Sequence, residues 1–379
     1  MPGLTDEQRL LRDTVRDLAD EKIAPRAAEI DRTAEFPWDV KELLASHDLF
    51  TLHFPERLGG LGGDLLTACL AIEQISRVCA TSGLILAVQG LGALPILLAG
   101  SDEQQQRWIP DLAAGKTLIA FAITEAEAGS DAAAIRTRAV RDGDDYVISG
   151  SKRFISHGSV ADLVTVFALT DPDGDRHHRL SCFVVETSRP GFGVARLEHK
   201  MGIRGSPTAE LAFDDVRVPA ANLLGAEGDG FSIAMRTFDR SRPGIAAQAV
   251  GIAQGALEVA TKYARERKQF GRAVGEFQMV SAMLADMDAA TEAARQLLYA
   301  ACLAIDAGAR DAARWAALAK LVAGDAAMRV TTDAVQVLGG YGYVEEYPVE
   351  RMMRDAKITQ IYEGTQQIQR LVVARALLG

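Results

Sequence analysis

One carboxylate near the end of the chain stands where chemistry is possible. Glu363 follows the apolar pair Ile361-Tyr362 and precedes Gly364-Thr365, and a run with Ile368, Leu371, Val372 and Ala376 begins directly after it. The i, i+3, i+4, i+8 spacing of that run predicts a helix, with Thr365 as its N-cap. Glu363 then sits in the preceding turn. In a solvated loop it would be an ordinary glutamate. At the edge of an apolar cavity, loss of water would raise its pKa and make it a base. Other segments offer groups that could surround such a base. Ala122-Ile123-Thr124-Glu125 leads into Gly129-Ser130-Asp131, where small residues expose backbone N–H groups and hydroxyls suited to a polar heterocycle or a phosphate. Phe154-Ile155-Ser156 places an aromatic two positions before a hydroxyl, a pairing that fits a flat ring system. The stretches FDRSRP and ARERKQFG carry cations able to meet phosphates. Gly339-Gly340-Tyr341-Gly342 permits close approach of backbone to a ligand, but the strand–GxGxxG–helix context of a dinucleotide fingerprint is missing. Each of these, taken singly, is equally an ordinary turn, strand or solvated helix face.

The elements that must position these residues fall into three regions. To about residue 117 the pattern is helical: Thr5-x-x-Gln8 is a capping-box signature, and apolar helices are expected at 39–47, 64–79 and 82–99. Between 118 and 226 come short β-branched and aromatic runs such as DYVISG, LVTVFALT and LSCFVVET, separated by Gly, Asp and Pro, an antiparallel β signal with TDPDGDRHH at a hairpin tip. From 227 to 379 long Ala-rich helical segments return, at about 229–267, 276–308 and 311–338, with a last helix after Glu363. Their lengths suit a four-helix bundle. The expected fold is mainly α with a central β-domain, in the order α–β–α: an N-terminal all-α domain over 1–117, a β-domain over 118–226 and a helical-bundle domain over 227–379.

Composition sets outer limits. The 379 residues are 48% hydrophobic and 24% charged, ordinary for a globular protein with a sizeable core. A formal net charge of −10 argues against nonspecific binding to nucleic acid or an anionic membrane. Cys69, Cys79, Cys182 and Cys302 show no CxxC or metal spacing, so reduced buried thiols are expected, and His177-His178 falls in a polar loop; no metal site is expected. The N-terminus lacks the pattern of a signal peptide. The apolar run 84–100 is interrupted by Gln89, glycines and Pro95 and reads as a core helix, so a cytoplasmic protein is expected.

Taken together and in this order, the motifs resemble those of the flavin-dependent acyl-CoA dehydrogenases over essentially the whole chain. Ala122-Ile123-Thr124-Glu125 with Gly129-Ser130-Asp131 matches one family signature, and Gln336, Gly339-Gly340, Gly342-Tyr343, Glu346, Arg351 and Asp355 match another. IYEGTQQIQR is similar to the family's catalytic-base segment. The resemblance implies that Glu363 removes the α-proton of an acyl-CoA thioester while the β-hydrogen leaves as hydride to the flavin of FAD, giving a trans-2-enoyl product. The Glu363 N–H would hold the thioester oxygen. For FAD it implies Phe121, Ile123, Thr124, Gly129 and Ser130 with Phe154, Ile155 and Ser156 at the ring. Arg267, Gln269, Phe270 and Gln278 would lie on the pyrophosphate and adenine side, from a neighbouring subunit, with Gln336, Gly339, Gly340, Thr365 and Gln367 completing the site. For the substrate it implies Ser130, Ser206, Asp239, Arg242, Tyr362 and Gly364. A homo-oligomer, usually a tetramer, and an electron-transfer flavoprotein as electron acceptor follow by the same resemblance.

Departures from the family pattern are local. Phe154 and Ser156 stand where Trp and Thr are common, and Ala126 where a proline usually follows Thr-Glu. Ser241 occupies the helix position that, by the same resemblance, supplies the base in the isovaleryl and long-chain branches, which implies the short- and medium-chain type of base placement. Residues 84–95 are expected to wall the acyl tail, with Leu86, Val88 and Leu91 shortening the pocket and Gly90 and Gly92 lengthening it. Rival readings are a carrier-protein-bound acyl substrate, a flavin monooxygenase or oxidase of the same fold, and a non-catalytic thioester-binding protein.

Overall fold

The computed structural model describes residues 3–379. The capping box read at Thr5 is formed: Thr5 Oγ1 accepts the Gln8 N–H and Gln8 Oε1 accepts the Thr5 N–H, each at 3.1 Å, opening α1 (Asp6–Leu18). Five more helices follow: α2 (Ala27–Thr33), α3 (Trp38–Ser46), α4 (Leu65–Ser76), α5 (Ala80–Ala99) and α6 (Asp102–Ala113). Asp64 caps α4, its Oδ1 accepting the Thr67 N–H at 2.7 Å. With 20 residues, α5 is longer than the sequence suggested and, by length and composition, long enough to cross a membrane. It is instead the centre of a packed layer, 72% of its most apolar window being buried.

A sheet of eight strands comes next: β1 (Ile119–Ala122), β2 (Arg138–Asp142), β3 (Asp145–Ser156), β4 (Leu163–Leu169), β5 (Leu180–Glu186), β6 (Phe192–Leu197), β7 (Thr208–Pro219) and β8 (Leu223–Leu224). The order is β6-β7-β3-β2-β4-β5-β8, with β1 attached to β4. The expected antiparallel sheet needs one correction, since β1 runs parallel to β4, and β2 meets β4 in parallel at Arg138 and Leu169. These contacts bring the strand that carries the Thr124 turn to the middle of the molecule. Apart from their last residues, β4 and β5 are buried throughout, as expected for strands covered on both faces. The loop over 170–179 joins them, as its turn residues foretold.

The last region is built on α7 (Gly230–Glu266), α8 (Gln278–Asp306), α9 (Ala312–Leu338) and α11 (Gln366–Leu378), close to the expected spans. A small hairpin, β9 (Lys268–Gln269) with β10 (Arg272–Ala273), joins α7 to α8. The helix α10 (Val349–Ala356) was not foreseen. It is only eight residues long, although Val349, Met352, Met353 and Ala356 stand at i, i+3, i+4 and i+7. Pro243 lies inside the 37-residue α7. Lacking an N–H, it leaves the Asp239 carbonyl without its helical partner beside the site described below.

One buried ionic cluster ties the N-terminal helices to the bundle. Glu73 on α4, 2% exposed, accepts from Arg295 Nε on α8 at 2.9 Å and from the Tyr299 hydroxyl at 3.2 Å, while Arg295 Nη2 donates to Gln254 Oε1 on α7 at 2.7 Å. Burial alone would push the Glu73 carboxyl up; the guanidinium works against it. Replacing Arg295 with Met strands a buried carboxylate, so stability should fall by about 3–5 kcal/mol. Thermal unfolding of Arg295→Met beside Glu73→Gln/Arg295→Met measures this, with the double variant expected to recover most of the loss.

Candidate active site

Glu363 lies in the turn between the 3-10 segment Lys357–Gln360 and α11, and Thr365 does cap that helix, accepting the Ile368 N–H at 3.3 Å. The backbone of Glu363 is left-handed, with φ of 52°, and Gly364 follows at 94°. A non-glycine residue holds that conformation only when its surroundings impose it. Here they do: Gln369 Nε2 donates to the carbonyls of Glu363 at 3.1 Å and of Gly364 at 2.9 Å, and Lys320 Nζ donates to the Gly364 carbonyl at 2.7 Å. At that φ any side chain on Gly364 would be strained, and its Cβ would displace Gln369 Nε2, 2.7 Å away, from the two carbonyls it holds. The Glu363 N–H has no hydrogen-bond partner among the described residues.

The carboxylate faces α7. Ser241 Oγ donates to Glu363 Oε2 in a short hydrogen bond, and Arg242 Nε reaches the Glu363 carbonyl at 3.5 Å. Desolvation pushes the Glu363 pKa up to about 7, held there against the Ser241 hydrogen bond and the charges of Arg242 and Lys320. Arg242 is turned by its ion pair with Asp239 at 3.0 Å. Lys320 is itself pulled down to about 7 by burial. Tyr362, next to the base, donates to Gln248 Oε1, and Gln248 Nε2 anchors to the Ala80 carbonyl at 2.9 Å, locking the turn to the start of α5.

The second group of residues is joined to the first through aromatic contacts. Phe121 at the end of β1 packs on Phe238 of α7 at 5.5 Å, and the Arg242 guanidinium lies 5.9 Å from the same Phe238 ring. The Arg153 N–H donates to the Thr124 carbonyl at 2.8 Å, bringing Phe154-Ile155-Ser156 beside Ile123-Thr124. A register shift between Lys152 and Ile155 turns Phe154 outward at φ of 59°, 58% exposed, whereas Ile155 points inward. Gly129 and Ser130 are exposed in the loop after Glu125.

The third group is elsewhere on the surface. Arg267 precedes the β9–β10 hairpin, Gln269 and Phe270 lie in it, Gln278 opens α8, and Gln336, Gly339 and Gly340 close α9. Arg267 stacks 5.2 Å from the Tyr341 ring, joining the hairpin to the glycine turn. Phe270 is 94% exposed and Gln367 is exposed on α11. Ser206 is fully buried, and its hydroxyl makes no hydrogen bond among the described residues.

Sequence reasoning missed several supporting residues. Lys152, fully buried, donates to the Ile123 carbonyl at 3.0 Å and to Glu125 Oε1 at 2.8 Å, and Glu125 in turn accepts the N–H groups of Arg136 and Thr137 at 2.6 and 2.9 Å. That network fixes the turn carrying Thr124. A lysine on the inward face of a strand was the available signal, as was Lys320 on the alanine face of α9. Beyond the base, a cavity of about 350 Å³ runs between α4, α5 and α7, lined by Ile72, Ala87, Gly90, Leu91, Leu94 and Ser241 among others. Gly90 and Leu91 wall it as expected, but Leu86 and Val88 are buried outside its lining. Gly92 serves packing instead: a Cβ there would stand 2.9 Å from Ile119 Cγ2 on β1.

Comparison with known proteins agrees with this geometry. The chain matches the N-terminal, middle and C-terminal domain models of acyl-CoA dehydrogenase over residues 5–116, 120–216 and 228–378. It is 49% identical to an acyl-CoA dehydrogenase of Bacillus subtilis over 99% of both chains. It is 48% identical to the short-chain-specific acyl-CoA dehydrogenase of Clostridium acetobutylicum over 98% of both. Among solved structures, the butyryl-CoA dehydrogenase of Megasphaera elsdenii superposes with a TM-score of 0.96 at 44% identity, covering 100% of this chain and 99% of its own. With a desolvated glutamate on a strained turn and relatives matched end to end, the chain belongs to the acyl-CoA dehydrogenase family of oxidoreductases.

Proposed function

We propose that the protein desaturates a short acyl-CoA to its trans-2-enoyl-CoA with FAD as cofactor and Glu363 as base. One observation carries the reading: the Glu363 carboxylate, poised near neutrality, shares its residue with an N–H that has no partner. A carboxylate in water is far too weak to remove a proton α to a thioester. The reaction therefore needs the carbonyl polarised and the base desolvated together. The free Glu363 N–H donates to the thioester oxygen and stabilises the developing enolate charge, while the carboxylate takes the α-proton. Ser241 holds that carboxylate in place, and Arg242 and Lys320 keep it ionised enough to act.

The residues fit FAD. Phe154 presents an exposed ring on a bulge beside Thr124, with the Ser156 hydroxyl near by. Gly339 takes φ of 60°, and a Cβ on Gly339 or Gly340 would meet nothing within 4 Å, which leaves bare backbone for a ligand. When bound, FAD supplies the acceptor for the β-hydrogen, which leaves as hydride. Thr124, Ser130 and Ser156 would hold it on one side, with Gln336, Gly339, Gly340, Thr365 and Gln367 on the other.

Arg267, Gln269, Phe270 and Gln278 complete that site for a neighbouring subunit in this reading. Support comes from the exposure of Gln269, Phe270 and Gln278 and from exposed apolar residues close by, including Met279 at 81% and Tyr343 at 83%. A homotetramer in the cytoplasm, passing electrons to an electron-transfer flavoprotein, belongs to the same proposal; four buried free cysteines suit a reducing compartment. The short-chain reading is supported by the short-chain-specific and butyryl-CoA relatives, and the base in the turn before α11 sets it apart from the isovaleryl and long-chain branches.

Anaerobic mixing of the yellow protein with a series of acyl-CoAs, followed by flavin absorbance, tests the reading. Short acyl-CoAs should bleach the flavin, and Glu363→Gln should slow bleaching on the order of 10²–10⁴-fold while keeping its flavin. A protein that binds no FAD, or a flavin that no acyl-CoA bleaches, would overturn it. The pH dependence follows from the base. Only ionised Glu363 accepts a proton, so the bleaching rate should climb as pH rises through about 7 and fail below it. Ser241→Ala removes a hydrogen bond that favours the ionised form, so its rising limb should move to higher pH. Stopped-flow traces across pH 5–9 would show the displacement.

A further inference from the structure

The strand β1 leaves its sheet partner just before the residues that the site needs. Its paired register with β4 ends at Ala122 and Val166, and the carbonyls of Ile123 and Thr124 are taken up by β3 instead. Lys152 Nζ donates to the Ile123 carbonyl at 3.0 Å, and the Arg153 N–H donates to the Thr124 carbonyl at 2.8 Å. The peptide bonds here are trans, so each N–H points opposite to the carbonyl of its own unit. The unit held by Arg153 sends the Glu125 N–H to the Ala128 carbonyl at 3.0 Å. The unit held by Lys152 sends the Thr124 N–H away from the lysine, and that N–H has no hydrogen-bond partner among the described residues.

Pairing with Glu125 does not by itself account for a lysine in this place. Lys152 is fully buried, and loss of water pulls its pKa down to about 8 against the attraction of Glu125 at 2.8 Å. An ion pair so placed adds little net stability once desolvation is counted. The Glu125 carboxylate has other partners, the N–H groups of Arg136 and Thr137 at 2.6 and 2.9 Å. The Ile123 carbonyl, in contrast, has no donor but Lys152 among the described residues. Directly after Lys152 the register of β3 on β7 shifts, and the same strand goes on to carry the outward Phe154 and then Ser156. One clamp therefore sets the Thr124 turn relative to the ring and the hydroxyl of β3.

We propose that Lys152 is a positioning residue for FAD: by holding the Ile123 carbonyl it presents the Thr124 N–H as a fixed donor to an acceptor on the flavin ring, in register with Phe154 and Ser156. The inference rests on the FAD-dependent reading above, and the test keeps the two apart. Lys152→Met fills similar space without the donor but leaves Glu125 unpaired, whereas Lys152→Met/Glu125→Gln removes the donor and the stranded charge together. Glu125→Gln alone keeps the lysine on the carbonyl. Each FAD-loaded protein is diluted and release of FAD followed by the rise in flavin fluorescence, with the visible spectrum of the bound flavin and thermal unfolding in excess FAD recorded alongside. Both lysine variants should release FAD about tenfold faster or more, and the visible band of the flavin still bound should shift, because a ring acceptor has lost its fixed donor. The double variant should regain most of the thermal stability that Lys152→Met loses and yet keep the fast release. Glu125→Gln should release FAD at close to the wild-type rate. The proposal fails if Lys152→Met holds FAD as wild type does, or if the double variant regains FAD retention along with stability. It fails equally if Glu125→Gln releases FAD as fast as the lysine variants, which would make the ion pair and not the carbonyl clamp the cause. A wild type that binds no FAD removes the cofactor reading itself, and the clamp with it.

Discussion

A carboxylate that must pull a proton from carbon has to be kept from water without being neutralised. Most of the local structure follows from that constraint. Desolvation lifts the Glu363 pKa, and three groups, Ser241, Arg242 and Lys320, stop it from rising further. None of the three forms a close ion pair with the carboxylate: Ser241 offers a neutral hydroxyl, Arg242 is paired to Asp239, and Lys320 spends its hydrogen bonds on the Gly364 carbonyl and Gln366. A direct guanidinium pair would depress the pKa and quench the base. The cations sit close enough to polarise and are engaged elsewhere.

This arrangement has a cost that the fold carries. A carboxyl with a raised pKa binds its proton more tightly in the folded protein than in the unfolded chain. Its contribution to stability is fully present below pH of about 4.5 and is lost as pH climbs through about 7. The ionised state that does the chemistry is the less stable one, and the left-handed backbone at Glu363 adds strain of its own. Compensation lies in the groups that hold the turn from three directions: Gln369 from α11, Lys320 from α9, and Tyr362 through Gln248 of α7. Lys320 reaches the turn because the alanine face of α9 keeps the approach open, and Gly324 on the same helix would place a Cβ only 3.0 Å from the Thr359 carbonyl.

Sequence made the long-range plan legible, because it is written in repeated local signals. The helices α1, α4, α5, α7, α8 and α9 announce themselves by period, α1 also by its capping box, and the β-region by its short branched runs. Thr365 marks the start of α11 and so places Glu363 in a turn. Features that depend on a single three-dimensional meeting were not legible. The parallel seating of β1 on β4 carries no periodic signature, since both strands are buried runs. Helix α10 carries the helical spacing at Val349, Met352, Met353 and Ala356, but two turns directly after a glycine-rich stretch are too short a run to stand out. Glycines were the most deceptive. Gly90 and Gly92 look alike in the sequence, yet one faces the His53 imidazole in the cavity and the other lets a helix lie on a strand.

The same distinction explains why reaction class and substrate are encoded differently. The class rests on a few residues whose roles require one backbone conformation, so it survives as a motif: a glutamate at positive φ, a glycine after it, a capping threonine. The cavity beyond the base is a matter of volume, and that volume is shared among α4, α5, α7 and the turn at Leu49–His53. The turn at Leu49–His53 makes none of the hydrogen bonds that anchor the Glu363 turn to α7, α9 and α11, whereas the α7 wall carries Ser241, which bonds the base itself. The scaffold thereby holds the Glu363 turn by directed hydrogen bonds and leaves most of the cavity wall to side-chain packing.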